Sequence, residues 1–479
     1  MRRALAIGMA AVLVLGLAAC DPDRSTVPRP GEPVVLTGAR LPALRGQAPG
    51  RIVAFRHSYA GDAARWTQVP VQVDERKVVP FGTQPGTNDA PGTTGTVYGN
   101  GAGGPTALQY ADPATFVGAD GDPTFDADDE LVFMASDAGG LPRGGDESEP
   151  AGVVPGSGVR VEVLDPQAPG RLGWVFLFRS DGSLDPSAGV DYVDYDFVLD
   201  SGDYTTTYGR HEGPNPERSR VRTPTYEITF GDRWIEDGWR VRSGSASGVD
   251  VLDGVKDQFA VDTCGRSNAT FAEAEGAFVA NVDGPVRAIR SYVGANSGPR
   301  TQRTHLMYRD REVSITDLRV HQIPQIMDFV DLSAAARGMT YASSTAPGGV
   351  TVDGRRDGVG TRPAEWETWN GPQGAVYSRS TFTTSASGLR LTWFQRDEAR
   401  PPETQCWGDG SFYGAAGPVL TGGIPNTDPG IGPAATVRST RTVHFLAPHQ
   451  DPDRLAATAW ALTRDLQEPV RTSTTPYRP

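Results

Sequence analysis

Gly, Pro, Asp and Asn interrupt this chain so often that its apolar runs are mostly strand-sized, and helical periodicity is nearly absent before residue 452. Short strand-like runs occupy 52–55, 69–73, 131–134, 159–163 and 174–178. Val159, Val161 and Val163 alternate with polar residues, the period of a half-buried strand. The run 174–178 is continuously apolar, which predicts burial on both faces. From about residue 200 the runs lengthen: 225–230, 239–243, 286–293, 303–308, 313–321 and 391–395. The single helical pattern is 452–467, with Leu455, Ala456, Ala459, Leu462 and Leu466 at helical spacing and Asp451 placed to cap it. The expected fold class is therefore mainly β: an antiparallel β-sandwich or supersandwich in the second half, a smaller β-domain before it, and one C-terminal helix. The 58 glycines and 39 prolines make about a fifth of 479 residues. That share lies below the roughly 25–30% of low-complexity chains, and without a three-residue glycine period collagen is excluded.

The N-terminus addresses the chain. Met1-Arg2-Arg3 is a basic start, 4–19 is an apolar stretch too short for a membrane span, and Leu17-Ala18-Ala19-Cys20 follows. This tetrad resembles the lipobox of bacterial lipoproteins. The resemblance implies cleavage before Cys20, lipidation of Cys20, and a bacterial cell-envelope protein held by its lipid on the extracytoplasmic side of a membrane. A plain secreted protein or an uncleaved anchor is the competing reading. The expected organisation is a signal peptide over 1–19, a flexible tether over 20–33, an N-terminal β-domain with an acidic loop over 34–200, a supersandwich-like domain over 201–467 and a tail over 468–479. The stretch 82–104 is Gly/Thr/Asn/Pro-rich and reads as disordered. Cys264 and Cys406 remain after lipidation, an even pair in an exported chain, so a disulfide between them is expected. In the chain-entropy model, its loop of about 140 residues would contribute roughly 3–5 kcal/mol. Zinc is the weaker alternative, because neither cysteine has a close Cys or His partner.

Charge limits the partners. The chain has 45 Lys+Arg against 58 Asp+Glu, a net charge of −13 and a pI near 5.0. A nucleic-acid partner held by its phosphates needs a basic surface, so none is expected.

Three constellations can carry chemistry. The first is the acidic run 120–130, in which Asp120, Asp122, Asp126 and Asp128 form a candidate structural calcium loop. It is no EF-hand, since Phe125 stands where glycine is needed and Leu131 where glutamate is needed. A solvated acidic turn is the plainer reading.

The second is a hairpin in which 303–308 runs into 313–321. With Asp310-Arg311 as the turn, Tyr308 faces Val313, Leu306 faces Ile315, Thr304 faces Asp317 and Gln302 faces Arg319. Arg303, His305 and Met307 then share the other face with Ser314, Thr316 and Leu318. An Arg beside His305 favours the neutral imidazole, which suits a general base, and Arg suits a carboxylate or polyol ligand. The candidate site is Arg303, His305, Asp317, Arg319 and His321. A wet outer sheet face is the competing reading.

The third is aromatic. Trp234, Trp239, Trp366, Trp369, Trp393 and Trp407 all fall in the second half, where they can stack on sugar rings or fill the core. The chain has no Gly-x-Ser-x-Gly elbow, no His-Glu-x-x-His helix, no phosphate loop and no haem motif.

The segment 283–290, the hairpin 303–321 and a closing strand 442–446 before a helix together resemble β-supersandwich proteins of the galactose-mutarotase-like type. That resemblance implies a concave polar sheet face suited to a sugar polymer, and it transfers no catalytic residue. The functional expectation is a membrane-tethered lipoprotein that binds or cleaves a polysaccharide. If it is an enzyme, it is a lyase or glycoside hydrolase, with His305 as base and Arg303 pairing a uronate. Glu227, Glu236, Asp237, Glu365 and Glu367 are available carboxylates, but no hydrolytic pair stands out among them. A non-catalytic envelope or ligand-binding lipoprotein is the alternative. No diffusible cofactor is required by either.

Overall fold

The computed structural model describes residues 25–80, 106–115, 117–143, 148–202, 204, 207–208, 217–231, 234–260, 276–294, 301–402, 408–429, 432–449 and 451–478. These residues build a mainly β protein of antiparallel sheets with one α-helix, Pro452–Gln467. Among them no helix is long and apolar enough to cross a membrane. The lipobox, Cys20, the stretch 82–104, Cys264, Cys406 and Trp407 lie outside the described residues.

In the first half a five-stranded sheet packs on a three-stranded one. The five strands run in the order Arg471–Pro476, Val159–Leu164, Leu172–Arg179, Ile52–Ala60 and Ala63–Val69. The three are Pro33–Thr37, Glu130–Met134 and Gln72–Asp74. Val175 and Leu177 face the core between these sheets, while Trp174, Phe176 and Phe178 pack on the other side with Phe55 and Tyr477. Leu172–Arg179 is thus buried on both faces, as its unbroken apolar run requires.

Two boundary expectations change. Residues 468–479 are no free tail, because Arg471–Pro476 completes the five-stranded sheet by pairing with Val159–Leu164. The C-terminus thereby returns to the N-terminal layer. Nor is the expected tether over 20–33 free along its described part, 25–33. Thr26 donates its backbone N–H to Leu172, Arg29 pairs with Asp165 at 2.6 Å, and Glu32 pairs with Arg311 at 3.0 Å. Hydropathy cannot anticipate a polar segment held by ion pairs and backbone bonds.

The second half is organised by a ten-stranded sheet. Its order is Thr207–Tyr208, Gly276–Val282, Ala288–Gly294, Gln302–Met307, Arg311–Leu318, Val437–Leu446, Gly374–Thr384, Glu367–Gly371, Thr340–Ser343 and Ala346–Thr351. Two four-stranded sheets contribute to the core on its inner face. One contains Asp194–Asp196, Ser219–Arg222, Tyr226–Phe230 and Gly238–Val241. The other contains Leu252–Gln258, Ile323–Leu332, Phe412–Ile424 and Arg390–Glu398. Val221, Tyr226, Ile228 and Trp239 from the first sheet, and Val255, Val330 and Leu332 from the second, share one core with Met307, Trp369, Val443 and Phe445 of the large sheet.

The helix packs on the reverse face. Ala459 touches Trp366 and Tyr377, and Thr463 shares a 2.9 Å hydrogen bond with the Tyr377 hydroxyl. Asp451 caps the helix by accepting from the backbone N–H groups of Asp453 and Arg454. The first half also docks on the large sheet, where Arg287 reaches Asp74 at 2.8 Å and Glu130 at 2.6 Å.

The hairpin forms with a different turn. Tyr308 donates its backbone N–H to the Arg311 carbonyl, so Arg309-Asp310 is the two-residue turn. Gln302 then faces Asp317, His305 faces Ser314 and Met307 faces Glu312. Each partner moves by two residues from the expected pairing. A shift of two preserves side-chain parity, so Arg303, His305 and Met307 still share a face with Ser314 and Thr316.

Candidate functional site

The register carries one row of polar side chains across the inner face of the large sheet. Arg290, His305, Ser314, Arg441 and Ser380 are successive cross-strand neighbours. The adjacent row is Tyr292, Arg303, Thr316, Ser439 and Phe382. On one side lies the main apolar core. On the other lies an apolar cluster that includes Leu318, Ile326, Leu420 and Val437, with Phe382 packed against it. A polar stripe therefore crosses the interior between two hydrophobic regions.

Cations in the stripe find carboxylates on the covering strands. Arg290 makes two bonds to Glu217, at 2.9 and 2.5 Å, and lies over the Phe230 ring. Arg303 pairs with Asp257 and donates to the Thr316 hydroxyl at 3.0 Å. Arg441 pairs with Asp328, whose other oxygen accepts from the Ser439 hydroxyl at 2.7 Å. Ser314 and Thr316 are half-buried, whereas Arg303, His305, Ser439 and Arg441 beside them are buried.

His305 occupies the centre of a second group. Its Nδ1 shares a 2.6 Å hydrogen bond with Glu312 and lies 4.0 Å from a Glu236 oxygen, while its Nε2 lies 3.4 Å from the Tyr292 hydroxyl. Glu236 comes from the connection between Tyr226–Phe230 and Gly238–Val241, where it accepts from the Trp239 indole. Burial holds the His305 imidazole neutral, with its pKa down to about 3, against the opposing pull of Glu236 and with the nearby Arg303 and Arg290 charges acting in the same direction as burial. Burial likewise pushes Glu236 up to about 8, aided by Glu312, and Glu312 up to about 7.

The structure divides the expected site. Arg303 and His305 project from one strand onto the inner face with several polar partners. Asp317 belongs to the reverse face by register and pairs there with Arg438 at 2.7 Å. Arg319 lies beyond Arg311–Leu318, 3.9 Å from Asp317 and bonded to Gln302 at 3.4 Å. His321 is half-buried in the bend before Ile323–Leu332. These three residues do not join the His305 group. The expected strand over 313–321 overran by three residues, so Arg319 and His321 fall beyond the ladder, whereas Asp317 lies within it on the face opposite His305.

Glu312 was missed because the expected turn placed it opposite Arg309, outside the ladder. Arg290, Arg441, Glu217, Asp257 and Asp328 come from distant segments, and only their pairing reveals them.

The acidic loop brings Asp126 and Asp128 together through a side-chain hydrogen bond but does not gather all four carboxylates around one point. Asp120 accepts from the Asp122 N–H, Asp122 from Thr124, and Asp126 from the Asp128 N–H, each closing its own local turn. A hydrogen bond with Asp126 pushes Asp128 up to about 6. Among the described residues, one group of three or more His, Cys, Asp or Glu donors has ligand atoms within 4.8 Å of one another, and it is Glu236, His305 and Glu312. Trp234, Trp239, Trp366, Trp369 and Trp393 are all buried, so these five indoles fill the interior and offer no platform for sugar rings. Of the other candidate carboxylates, Glu227 pairs with Arg240 and Arg242, Asp237 accepts from Thr229 and Gly231, and Glu365 is exposed.

No family model matches the chain, and no curated protein matches it in sequence.

Glu367, on the same inner face, accepts hydrogen bonds from the Tyr341 hydroxyl at 2.8 Å and the Trp393 indole at 2.7 Å. Burial raises its pKa from 4.5 to about 7. The folded chain therefore keeps this proton where the unfolded chain has lost it. The resulting stability is full below pH 4.5 and falls away as pH rises towards 7. From that shift, stability should drop by about 3 kcal/mol across this window. Urea titrations of wild type and Glu367→Gln at pH 4, 6 and 8 measure it. The variant should lose this share of the pH dependence, and parallel curves would refute the assignment.

Proposed function

We propose that this chain is an exported bacterial lipoprotein, anchored by lipid on Cys20, whose second half binds an acidic polysaccharide between the large sheet and its covering strands. The anchoring part rests on Leu17-Ala18-Ala19-Cys20 after a short apolar stretch. The architecture it assumes is the supersandwich of galactose-mutarotase-like proteins. Cys20→Ser should move the protein from the membrane fraction to the soluble extracytoplasmic fraction. Retention after salt and carbonate washing would overturn the anchor.

One observation carries the binding part. Arg441 Nη1 is buried and has no hydrogen-bond partner among the described residues, and its cross-strand neighbour Ser314 is half-buried. A guanidinium edge among serine and threonine hydroxyls suits a uronate carboxylate and the hydroxyls of its ring. Binding is favoured over cleavage because both ring nitrogens of His305 face protein partners, Glu312 and Tyr292. A base for eliminative cleavage needs a lone pair open to substrate.

Ser314→Met would crowd the Arg441 guanidinium from the neighbouring strand while leaving Arg441 and Asp328 themselves unchanged. On a glycan array, wild type should retain uronate-containing glycans, and the variant should lose at least tenfold in affinity with an unchanged circular dichroism spectrum. Failure of wild type to retain any uronate glycan would overturn the reading. Release of unsaturated uronate products would replace binding by elimination.

A further inference from the structure

Glu236, His305 and Glu312 stand apart from the rest of the stripe in their charge pairing. The other carboxylates that meet its cations are matched one to one: Glu217 with Arg290, Asp257 with Arg303, and Asp328 with Arg441. Glu367 has no such partner but accepts two strong neutral donors. Glu236 and Glu312 have no Lys or Arg in an ion pair among the described residues, and they are 3% and 2% exposed. Their near neighbour is the imidazole Nδ1 of His305, itself a ligand-type donor. Two adjoining buried carboxylates cannot both carry charge cheaply without a cation between them, and a divalent ion would supply that charge.

The donor atoms of all three residues already lie within 4.8 Å of one another. They arrive from three places: both strands of the hairpin and the connection that precedes Gly238–Val241. The geometry points to a binding site for one first-row divalent transition ion, held by Glu236, His305 and Glu312. The donor set decides the class of ion. Calcium and magnesium take oxygen ligands, whereas an imidazole nitrogen with two carboxylates suits Zn²⁺ or Mn²⁺. Tyr292, facing the other nitrogen of the ring, is placed to orient the imidazole. Such an ion would bind the covering connection to the large sheet where no guanidinium does so. This site is independent of the glycan reading.

The test uses the full mature chain, stripped with chelator and titrated separately with Zn²⁺, Mn²⁺ and Ca²⁺ by calorimetry. Zn²⁺ or Mn²⁺ should bind at one ion per chain, and Ca²⁺ at least tenfold more weakly. Glu312→Gln and Glu236→Gln, close to isosteric, should each weaken binding by tenfold or more. An Asp122→Asn, Asp126→Asn double variant should bind like wild type. Absence of binding, or loss only in the acidic-loop variant, overturns the site. If the glutamine variants do not fold, X-ray absorption on the Zn²⁺-loaded wild type decides. It should show imidazole scattering at about 2.0–2.1 Å. A shell of oxygen alone, or one containing sulfur, overturns the site.

Discussion

The second half of this protein depends on ion pairs inside its sandwich. Large-sheet strands bring Arg290, Arg303 and Arg441 to the inner face, and each meets a carboxylate from a covering segment: Glu217, Asp257 and Asp328. Apolar side chains would cover the same area with little preference for register. A guanidinium and a carboxylate withdrawn from water tolerate only a mating that unites them, because a lone buried charge costs several kcal/mol. The two apolar regions on either side supply most of the driving force, and the charged stripe between them fixes where the covering strands sit.

The same logic joins the halves of the chain. Arg287 reaches Asp74 and Glu130, and Arg311 reaches Glu32, so the N-terminal layer is held to the reverse face of the large sheet by buried guanidinium groups. With Arg471–Pro476 closing the five-stranded sheet and Pro33–Thr37 in the three-stranded one packed on it, the first and last described strands both belong to the N-terminal sheets. Arginine suits this work, since its planar fork holds two carboxylate oxygens at once.

Local patterns were legible in the sequence, and long-range ones were not. The helix Pro452–Gln467 matched its expected bounds because a capping aspartate and helical apolar spacing act within a few residues. The buried strand Leu172–Arg179 declared itself by an unbroken apolar run. The hairpin faces were read correctly although its turn was not, because alternation survives a shift of two residues. That shift hid Glu312. The other members of the stripe stayed invisible for a different reason: a buried Arg and a surface Arg look alike in a sequence until their partners are known. The tryptophans mislead in the same way, since an indole suited to a sugar face suits a core equally well.

The Arg290–Glu217 pair, in which neither side chain is exposed, tests most directly the claim that buried ion pairs set the covering layer. The measurement is a double-mutant cycle in urea with Arg290→Met, Glu217→Leu and the double variant. Each single change should cost about 3–5 kcal/mol, because it leaves an uncompensated charge in the interior. The double variant should recover most of that loss. Single-site losses that simply add in the double variant would contradict the account.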